Sequence, residues 1–483
     1  MKFVQLVAAG TGEFVKTTRL IAQIVLVFLL LMLVSCTVGP DYVRPTAVET
    51  MPAAFKELEG WKVAEPQDGT VNKRWWLRYN DPILNSLVEQ VAISNQNIAS
   101  AEAQFRQARA LVQGARAGYF PTVTAGASAD RSYRPGNGGG ATVSNFQIPL
   151  DLSWEIDLWG RIRRGVEASQ ADLQASAADL AAITLSSQAE LAIDYFQLRT
   201  LDAQKKLLDD TTTLYRTSLE LTKNRYEAGL VARYDLLQAE TQLKSTEAEA
   251  LDLSLQRAQT EHAIALLIGK PSAAFYLSST SLATVIPFIP SGVPSELLER
   301  RPDIASSERR MAAANAQIGI ARAAYFPTIN LSAAAGLEAS TLASLFTWPS
   351  RFWAVGAAAT ATLFDGGLRS SQSEVAAAAY DATVAAYRKT VLTAFQEVED
   401  NLAALRILEE ETHVQGEAVQ AAEQVVKMTT NQYQAGTVSY LNVLIAQQTA
   451  LANERTALGL LGRRVAASVL LVKALGGGWI QEK

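Results

Sequence analysis

Few groupings in this chain have the residue types and spacing that chemistry needs. Cys36 is the only cysteine among 483 residues. Asp151 and Glu155 are carboxylates close in sequence, a pairing used for general acid–base work. The stretch Gly136-Asn137-Gly138-Gly139-Gly140 suggests a phosphate cradle, but it lacks the Lys and Ser/Thr of a P-loop and joins two strands instead of a strand and a helix. His262 and His413 are the only histidines and lie far apart, and nothing matches HExxH, CxxC or a paired-cysteine framework. Five methionines and two histidines form no metal-relay cluster. Asp151 and Glu155 fall in a stretch of strict alternation that aims every polar residue from Asn145 to Asp157 at one face, so a polar surface accounts for them. The chain is therefore expected to have no enzymatic chemistry, no metal and no bound cofactor.

Cys36 is the exception. Lys2, Lys16 and Arg19 precede a run from Ile21 to Val34 that is apolar except for Gln23. The run is short for a membrane span and has the length of a signal core. It ends in Leu33-Val34-Ser35-Cys36, which resembles a bacterial lipoprotein signal. That resemblance implies removal of residues 1–35 and a diacylglycerol and acyl chain on Cys36. Thr37, where an Asp would signal inner-membrane retention, implies the outer membrane. The mature chain would carry a formal charge of −7, which argues against nucleic acid as a partner. With no second cysteine for a disulfide, stability must come from packing and assembly.

The elements that carry these residues come in two copies. Asn97-Ile98-Ala99-Ser100 aligns on Asp303-Ile304-Ala305-Ser306, and Arg225-Tyr226-Glu227-Ala228-Gly229-Leu230 on Gln432-Tyr433-Gln434-Ala435-Gly436-Thr437. Spacings of 206 and 207 residues are too long for a solenoid period and mark a duplicated half-domain. No proline lies between Pro149 and Pro271 or after Pro349, and these stretches are rich in Ala, Leu, Gln and Glu. Helices are expected over about 161–228 and 233–267, and again over about 368–434 and 439–474. The first would rise on the order of 100 Å. Leu173, Ala177, Leu180, Thr184, Leu191, Leu198 and Leu201 are read as its seam. Gly229 and Gly436 break each helical pattern into a hairpin.

Strands are expected over about 121–134, 142–158, 327–340 and 351–364. The second alternates from Phe146 to Leu158 and is long enough to span a bilayer. Pro149 inside it calls for an edge or bulge position. Trp154, Trp159, Trp348, Phe352 and Trp353 cluster near strand ends, as interfacial girdles do. Four strands cannot close around a lumen, and lipid tolerates no open sheet edge. If these strands span a membrane, several chains must share one barrel.

The chain resembles the outer-membrane efflux proteins of the TolC superfamily, specifically the NodT-like and OprM-like lipoproteins of resistance-nodulation-division (RND) tripartite systems. The residues carrying this are Val38-Gly39-Pro40-Asp41-Tyr42, Trp75-Trp76 with Asp81-Pro82, and Leu298-Glu299-Arg300-Arg301-Pro302-Asp303-Ile304. Ala314-Asn315-Ala316 with Ile318-Gly319, Tyr325-Phe326-Pro327 and the Tyr-x-x-Gly turns at Tyr226 and Tyr433 complete the match. The resemblance implies a mainly α fold with a membrane β-barrel part. It is a duplicated protomer of two long helical hairpins and four strands, three copies of which form a twelve-stranded barrel and a periplasmic α-barrel. Residues 36–80 would form the anchored segment and equatorial region, 81–285 and 286–475 the two efflux repeats, and 476–483 a tail. The implied function is passive export of small toxic compounds or drugs, with a periplasmic adaptor and an inner-membrane RND pump as partners. A duct for type I protein secretion would use the same fold.

The resemblance also assigns the hairpin ends. Tyr226, Gly229, Leu230, Tyr433, Gly436 and Thr437 would meet the adaptor. Asp235, Leu441, Asn442 and Ile445 stand at the positions of the periplasmic gate. Relatives carry acids where this chain has Asn442 and Ile445, and a base where it has Val438, so a latch and acidic ring are replaced here by an apolar constriction at Leu441, with Ile445 a second candidate. The alternative for both is simple packing between helices.

Overall fold

The computed structural model describes residues 37–47, 55, 56, 74–135, 140–280, 287 and 300–477. Cys36 and its apolar run, the glycine loop 136–139, part of the expected anchored and equatorial segment 36–80, and the tail beyond 477 lie outside them.

The duplication is visible in element lengths. Helix α1 spans Pro82–Ser94. Helices α2 (Gln96–Ala117) and α5 (Pro302–Ala323) each have 22 residues. Helices α3 (Arg161–Glu227) and α6 (Leu368–Gln434) each have 67. Helices α4 (Arg233–Leu267) and α7 (Tyr440–Ala474) each have 35. Strands β1 (Thr122–Ala125), β2 (Ser128–Arg134), β3 (Ala141–Ile156), β4 (Thr328–Ala339) and β5 (Arg351–Thr360) form one antiparallel sheet. The chain divides into two compact units. The first is Met1–Pro45, Arg106–Ala175 and Glu308–Ala386; the second is Thr46–Phe105, Ser176–Ser307 and Tyr387–Lys483.

The first unit holds the sheet. β3 pairs with both β1 and β2 on one side and with β4 on the other, and β4 pairs with β5. The first expected strand is thus two ladders in one register, interrupted at Gly126-Ala127. The cause is Pro149, which stands opposite that gap. The Gly126 N–H donates to the Pro149 carbonyl at 3.0 Å, but proline has no N–H to return the bond. Pro149 therefore lies on an inner strand, neither at an edge nor in a bulge, and the ladder stops for two residues instead. On the other flank Pro149 faces Gly336. A Cβ there would lie 2.3 Å from the Ile148 carbonyl oxygen and 2.9 Å from Pro149 Cα. Gly336→Ala is expected to cost at least about 2 kcal/mol by forcing backbone apart, read as an earlier melting of the purified assembly.

Directly opposed residues share a face. One face carries Val123, Phe146, Ile148, Leu150, Leu152, Trp154, Ile329, Leu331 and Val355; the other carries Thr124, Asn145, Gln147, Asp151, Ser153, Glu155, Asn330 and Glu338. Of the five expected girdle aromatics, only Trp154 and Trp353 are on the apolar face. Phe352 pairs with Gly336 and points the other way. Trp159 stacks on Phe326 at 4.7 Å and donates to the Pro327 carbonyl at 2.7 Å.

The Val-Gly-Pro-Asp-Tyr stretch is a strap fitted to α5 and α3. Gly39 meets Gly319 so closely that an added Cβ would lie 2.5 Å from its Cα. Asn315 Nδ2 donates to the Pro40 carbonyl at 3.0 Å. Arg164 donates to Asp41 at 2.9 Å, and the Tyr42 hydroxyl to Glu308 at 2.7 Å. Two of the motifs that carried the resemblance are thus the two sides of one contact.

In the second unit Leu191, Leu198, Leu201, Leu208 and Tyr215 of α3 are buried, with Tyr387, Val391, Ala394, Val398 and Leu402 of α6. The first half of the expected α3 seam is displaced. Ala168, Ala171, Ala175 and Ala178 are buried, whereas Leu173, Leu180 and Thr184 are half-buried and Ala177 is exposed. Small side chains take the buried positions and the leucines stand to one side.

Polar contacts fix the helix ends. Asp81 caps α1 by accepting from Ile83 and Leu84 N–H at 2.9 and 3.1 Å, and also accepts from the Tyr195 hydroxyl. Arg301 donates to the last carbonyl of α7, Ala474, at 2.9 Å, and to Glu397 and Asp303 at 2.7 Å each. Buried Asp202 accepts from Arg199 at 3.1 Å and Arg257 at 2.7 Å. Arg199 and Arg257 in turn donate to the Ser278 and Leu277 carbonyls, tying the segment after α4 to the helices.

Candidate functional site: the two hairpin ends

Helix α3 ends, and α4 begins, around Gly229; α6 and α7 meet in the same way around Gly436. Gly229 N–H donates to the Tyr226 carbonyl at 2.9 Å and Leu230 N–H to Arg225 at 2.9 Å. At the second turn Gly436 donates to Tyr433 and Thr437 to Gln432, both at 3.0 Å. This paired pattern terminates a helix with a left-handed residue, and φ is +73° at Gly229 and +76° at Gly436. The Tyr of each Tyr-x-x-Gly supplies the carbonyl that the glycine N–H meets. A Cβ at either glycine would touch nothing within 4 Å. The cost of Gly229→Ala or Gly436→Ala is therefore conformational only, about 1–2 kcal/mol each. Asn, which visits this region more readily, should recover much of that loss in a thermal melt.

Beneath the turns Ala239, Tyr433, Tyr440 and Val443 form a small core, flanked by Leu219 and Val438. Tyr433 and Tyr440 rings lie 5.6 Å apart, and Arg225 stacks 4.7 Å above Tyr433. Burial pushes the Tyr440 hydroxyl above its usual range. The two equivalent tyrosines differ sharply. Tyr226 is 39% exposed and Tyr433 only 8%. Tyr226, Leu230, Tyr234 and Leu237 thus form an apolar surface on the first hairpin. Tyr433, expected at a contact surface, is instead core. Val438, where the resemblance led to the expectation of a base, packs against that core.

The four gate candidates fall on different faces. Val443, Leu444 and Ala446 are the buried side of α7, while Leu441 is 37% and Ile445 53% exposed. Packing within this chain therefore does not account for either. Asn442, Ile445 and Thr449 line a groove of about 310 Å³ between α7 and Val425 and Thr429 of α6. Leu441 is one heptad before Gln448, which donates to Gln242 of α4 at 2.5 Å, and two before Arg455, which pairs with Glu249. Asp235 stands one and two heptads before Gln242 and Glu249 in α4. Leu441 and Asp235 are thus brought to the start of the α4–α7 seam, and Asn442 and Ile445 are not. Asp235 accepts from the Ala232 N–H at 3.3 Å, bridging the first turn of α4. The seam pairs Gln242–Gln448 and Glu249–Arg455 join positions 206 apart, one residue short of the 207 at which the two hairpins match.

Glu155, one of the two carboxylates close in sequence, accepts from Nε and one Nη of Arg161 at 2.9 and 2.6 Å. Among the described residues no cluster of three His, Cys, Asp or Glu side chains could hold a metal, and no helix is long and apolar enough to cross a membrane.

Residues 87–270 and 293–477 match the family described as "Outer membrane efflux protein". The toluene efflux pump outer membrane protein TtgI of Pseudomonas putida is 31% identical over 457 residues, covering 94% of this chain and 97% of that protein. The pyoverdine export outer membrane protein OpmQ of Pseudomonas aeruginosa is 31% identical over 426 residues, covering 86% and 90%. The solved outer-membrane channel OprN superposes with a TM-score of 0.86 at 32% identity, covering 92% of this chain and all of that one. The doubled set of helices, the two-faced sheet and the paired glycine turns have the same basis as these matches: the chain belongs to the outer membrane efflux protein family.

Proposed function

We propose that three copies of this chain form the outer-membrane exit duct of a tripartite RND-type efflux pump, passing small toxic compounds outward without chemistry of their own. The observation that carries the shared barrel is the sheet, and the number three is what the resemblance to the family implies. It has four strand positions, one apolar face, one polar face and two free edges, in β1–β2 and in β5. Each unpaired backbone group at such an edge costs several kcal/mol in hydrocarbon, so the edges must pair with other copies. The apolar face would then meet lipid and the polar face a water-filled lumen. The hairpin ends would lie in the periplasm, where Tyr226, Leu230 and Thr437 meet an adaptor and Leu441 narrows the duct. The inner-membrane pump would supply the energy. Toluene and pyoverdine export by relatives favours small molecules over secreted protein as cargo.

Sedimentation in mild detergent and planar-bilayer recording test this reading together. Trimers that conduct are the expected result; a stable folded monomer would sink it. The anchor is tested separately. Mass spectrometry of the mature N-terminus should find an acylated Cys36, and Cys36→Ser should abolish acylation while leaving trimers and conductance intact.

A further inference from the structure

The strand connection opposite the helices carries a feature that export through the duct does not require. Between β4 and β5, residues 340–350 fold into two short 3-10 turns, Leu342–Ser344 and Trp348–Ser350. The connection is tightly bonded to itself. Thr341 and Ser344 hydroxyls meet at 2.7 Å, and Thr347 and Ser350 hydroxyls donate to the Ser344 carbonyl at 2.6 and 2.7 Å. Leu345 is buried beneath it. Yet this fixed loop holds Phe346 and Trp348 each 75% exposed. Arg351 follows, its guanidinium 3.7 Å from the centre of the Trp348 ring.

The order along β5 is informative. Arg351 pairs with Leu337, Trp353 with Ala335 and Val355 with Ala333, so all three project from the apolar face of the sheet. From the loop inward that face reads cation, indole, aliphatic, at steps of roughly 7 Å per two residues. A bilayer leaflet entered from outside reads phosphate, interface, acyl chain. On β2, Arg131 sits on the same face toward the same end, opposite Ser144. A guanidinium stacked on an indole at this distance can keep its in-plane N–H groups for a two-point bond to phosphate.

We propose that Phe346, Trp348, Arg351 and Trp353 form a docking site for the phosphorylated glycolipid of the outer leaflet, lipid A. Arg351 takes a phosphate while the aromatic side chains lie against the acyl chains. The inference rests on the reading that this sheet spans the outer membrane. Phosphate and hydrocarbon are both needed, because Arg351 alone would accept a free anion and the aromatics alone any lipid.

The test uses the full-length trimer, with lipid binding followed by native mass spectrometry. The probes are bis-phosphorylated lipid A, its dephosphorylated form and phosphatidylglycerol. Wild type should prefer lipid A. Arg351→Ala should weaken that binding about tenfold, the loss of one charge-assisted hydrogen-bonded contact. Arg351→Lys should fall between, and Trp348→Ala should weaken it by freeing the guanidinium. Removing the phosphates should erase the difference between wild type and Arg351→Ala. Equal binding of wild type and Arg351→Ala overturns the proposal. So does phosphatidylglycerol binding as tightly as lipid A, or footprinting that finds Phe346 and Trp348 covered by a neighbouring copy in lipid-free trimers. Conductance of the same preparations separates the two levels. A preparation that neither assembles nor conducts refutes the duct reading; a conducting trimer without lipid discrimination refutes this inference alone.

Discussion

Replacing Leu441 by serine should raise the single-channel conductance of the reconstituted trimer several-fold. Leu441 is a large aliphatic residue left exposed within its own chain at the start of the α4–α7 seam. Three copies around one axis would form an apolar ring, and a narrow apolar ring excludes water and ions until it widens. Serine is smaller and wets the ring. The control is built into the helix. Ile445, one turn on, is more exposed than Leu441, yet it lines the α6–α7 groove. Ile445→Ser should leave conductance near wild type. If the two variants exchange outcomes, the axis lies on the groove side. If neither conducts more, the constriction is elsewhere.

Asp202→Ala should destabilise the folded chain by about 3–5 kcal/mol, the cost of breaking a buried ion pair from one side. The carboxylate neutralises Arg199, which is itself buried, and Arg257, and it accepts from the Thr280 N–H at 3.3 Å. Alanine leaves buried Arg199 without its acid and Arg257 with Glu261 alone, at 3.5 Å. It also loosens the segment 277–280, whose carbonyls those arginines hold. Chemical denaturation should show an early transition, and Asp202→Asn should recover part of the loss through its remaining oxygen. Asp210→Ala is the contrast. Its Lys206 partner is fully solvated, so the same deletion should leave the denaturation midpoint unchanged.

What the sequence disclosed depends on whether the signal was local. Gly229 and Gly436 stand out because a glycine in an Ala- and Leu-rich helical run has few purposes other than a left-handed turn. The β3 alternation is equally plain, since period two sorts polar from apolar without reference to any other strand. Pro149 was harder. Its missing N–H could be tolerated at an edge, in a bulge or across an interrupted partner, and only the pairing of β3 on both flanks selects the third. The first half of the α3 seam falls on Ala168, Ala171, Ala175 and Ala178, residues that look neutral beside leucines in a linear pattern. Tyr226 and Tyr433 stand three residues before their glycines, yet one is surface and the other core. That difference comes from what packs against the second turn, Tyr440, where the first hairpin has Arg233, and the Tyr-x-x-Gly pattern shared by both turns does not include it. Asp202 and its arginines were missed for a related reason: buried ion pairs follow no period, and their members lie on different helices.

The α4–α7 seam is out of step with the repeat by one residue. The two hairpins match at a spacing of 207, yet Gln242 meets Gln448 and Glu249 meets Arg455, each 206 apart. At equal positions Gln242 would stand against Thr449 and Glu249 against Thr456. Neither seam residue therefore faces its own duplicate. In a seam stepped this way, a pair of opposite charges such as Glu249 and Arg455 can arise after duplication without passing through two glutamates or two arginines, whose like charges would repel.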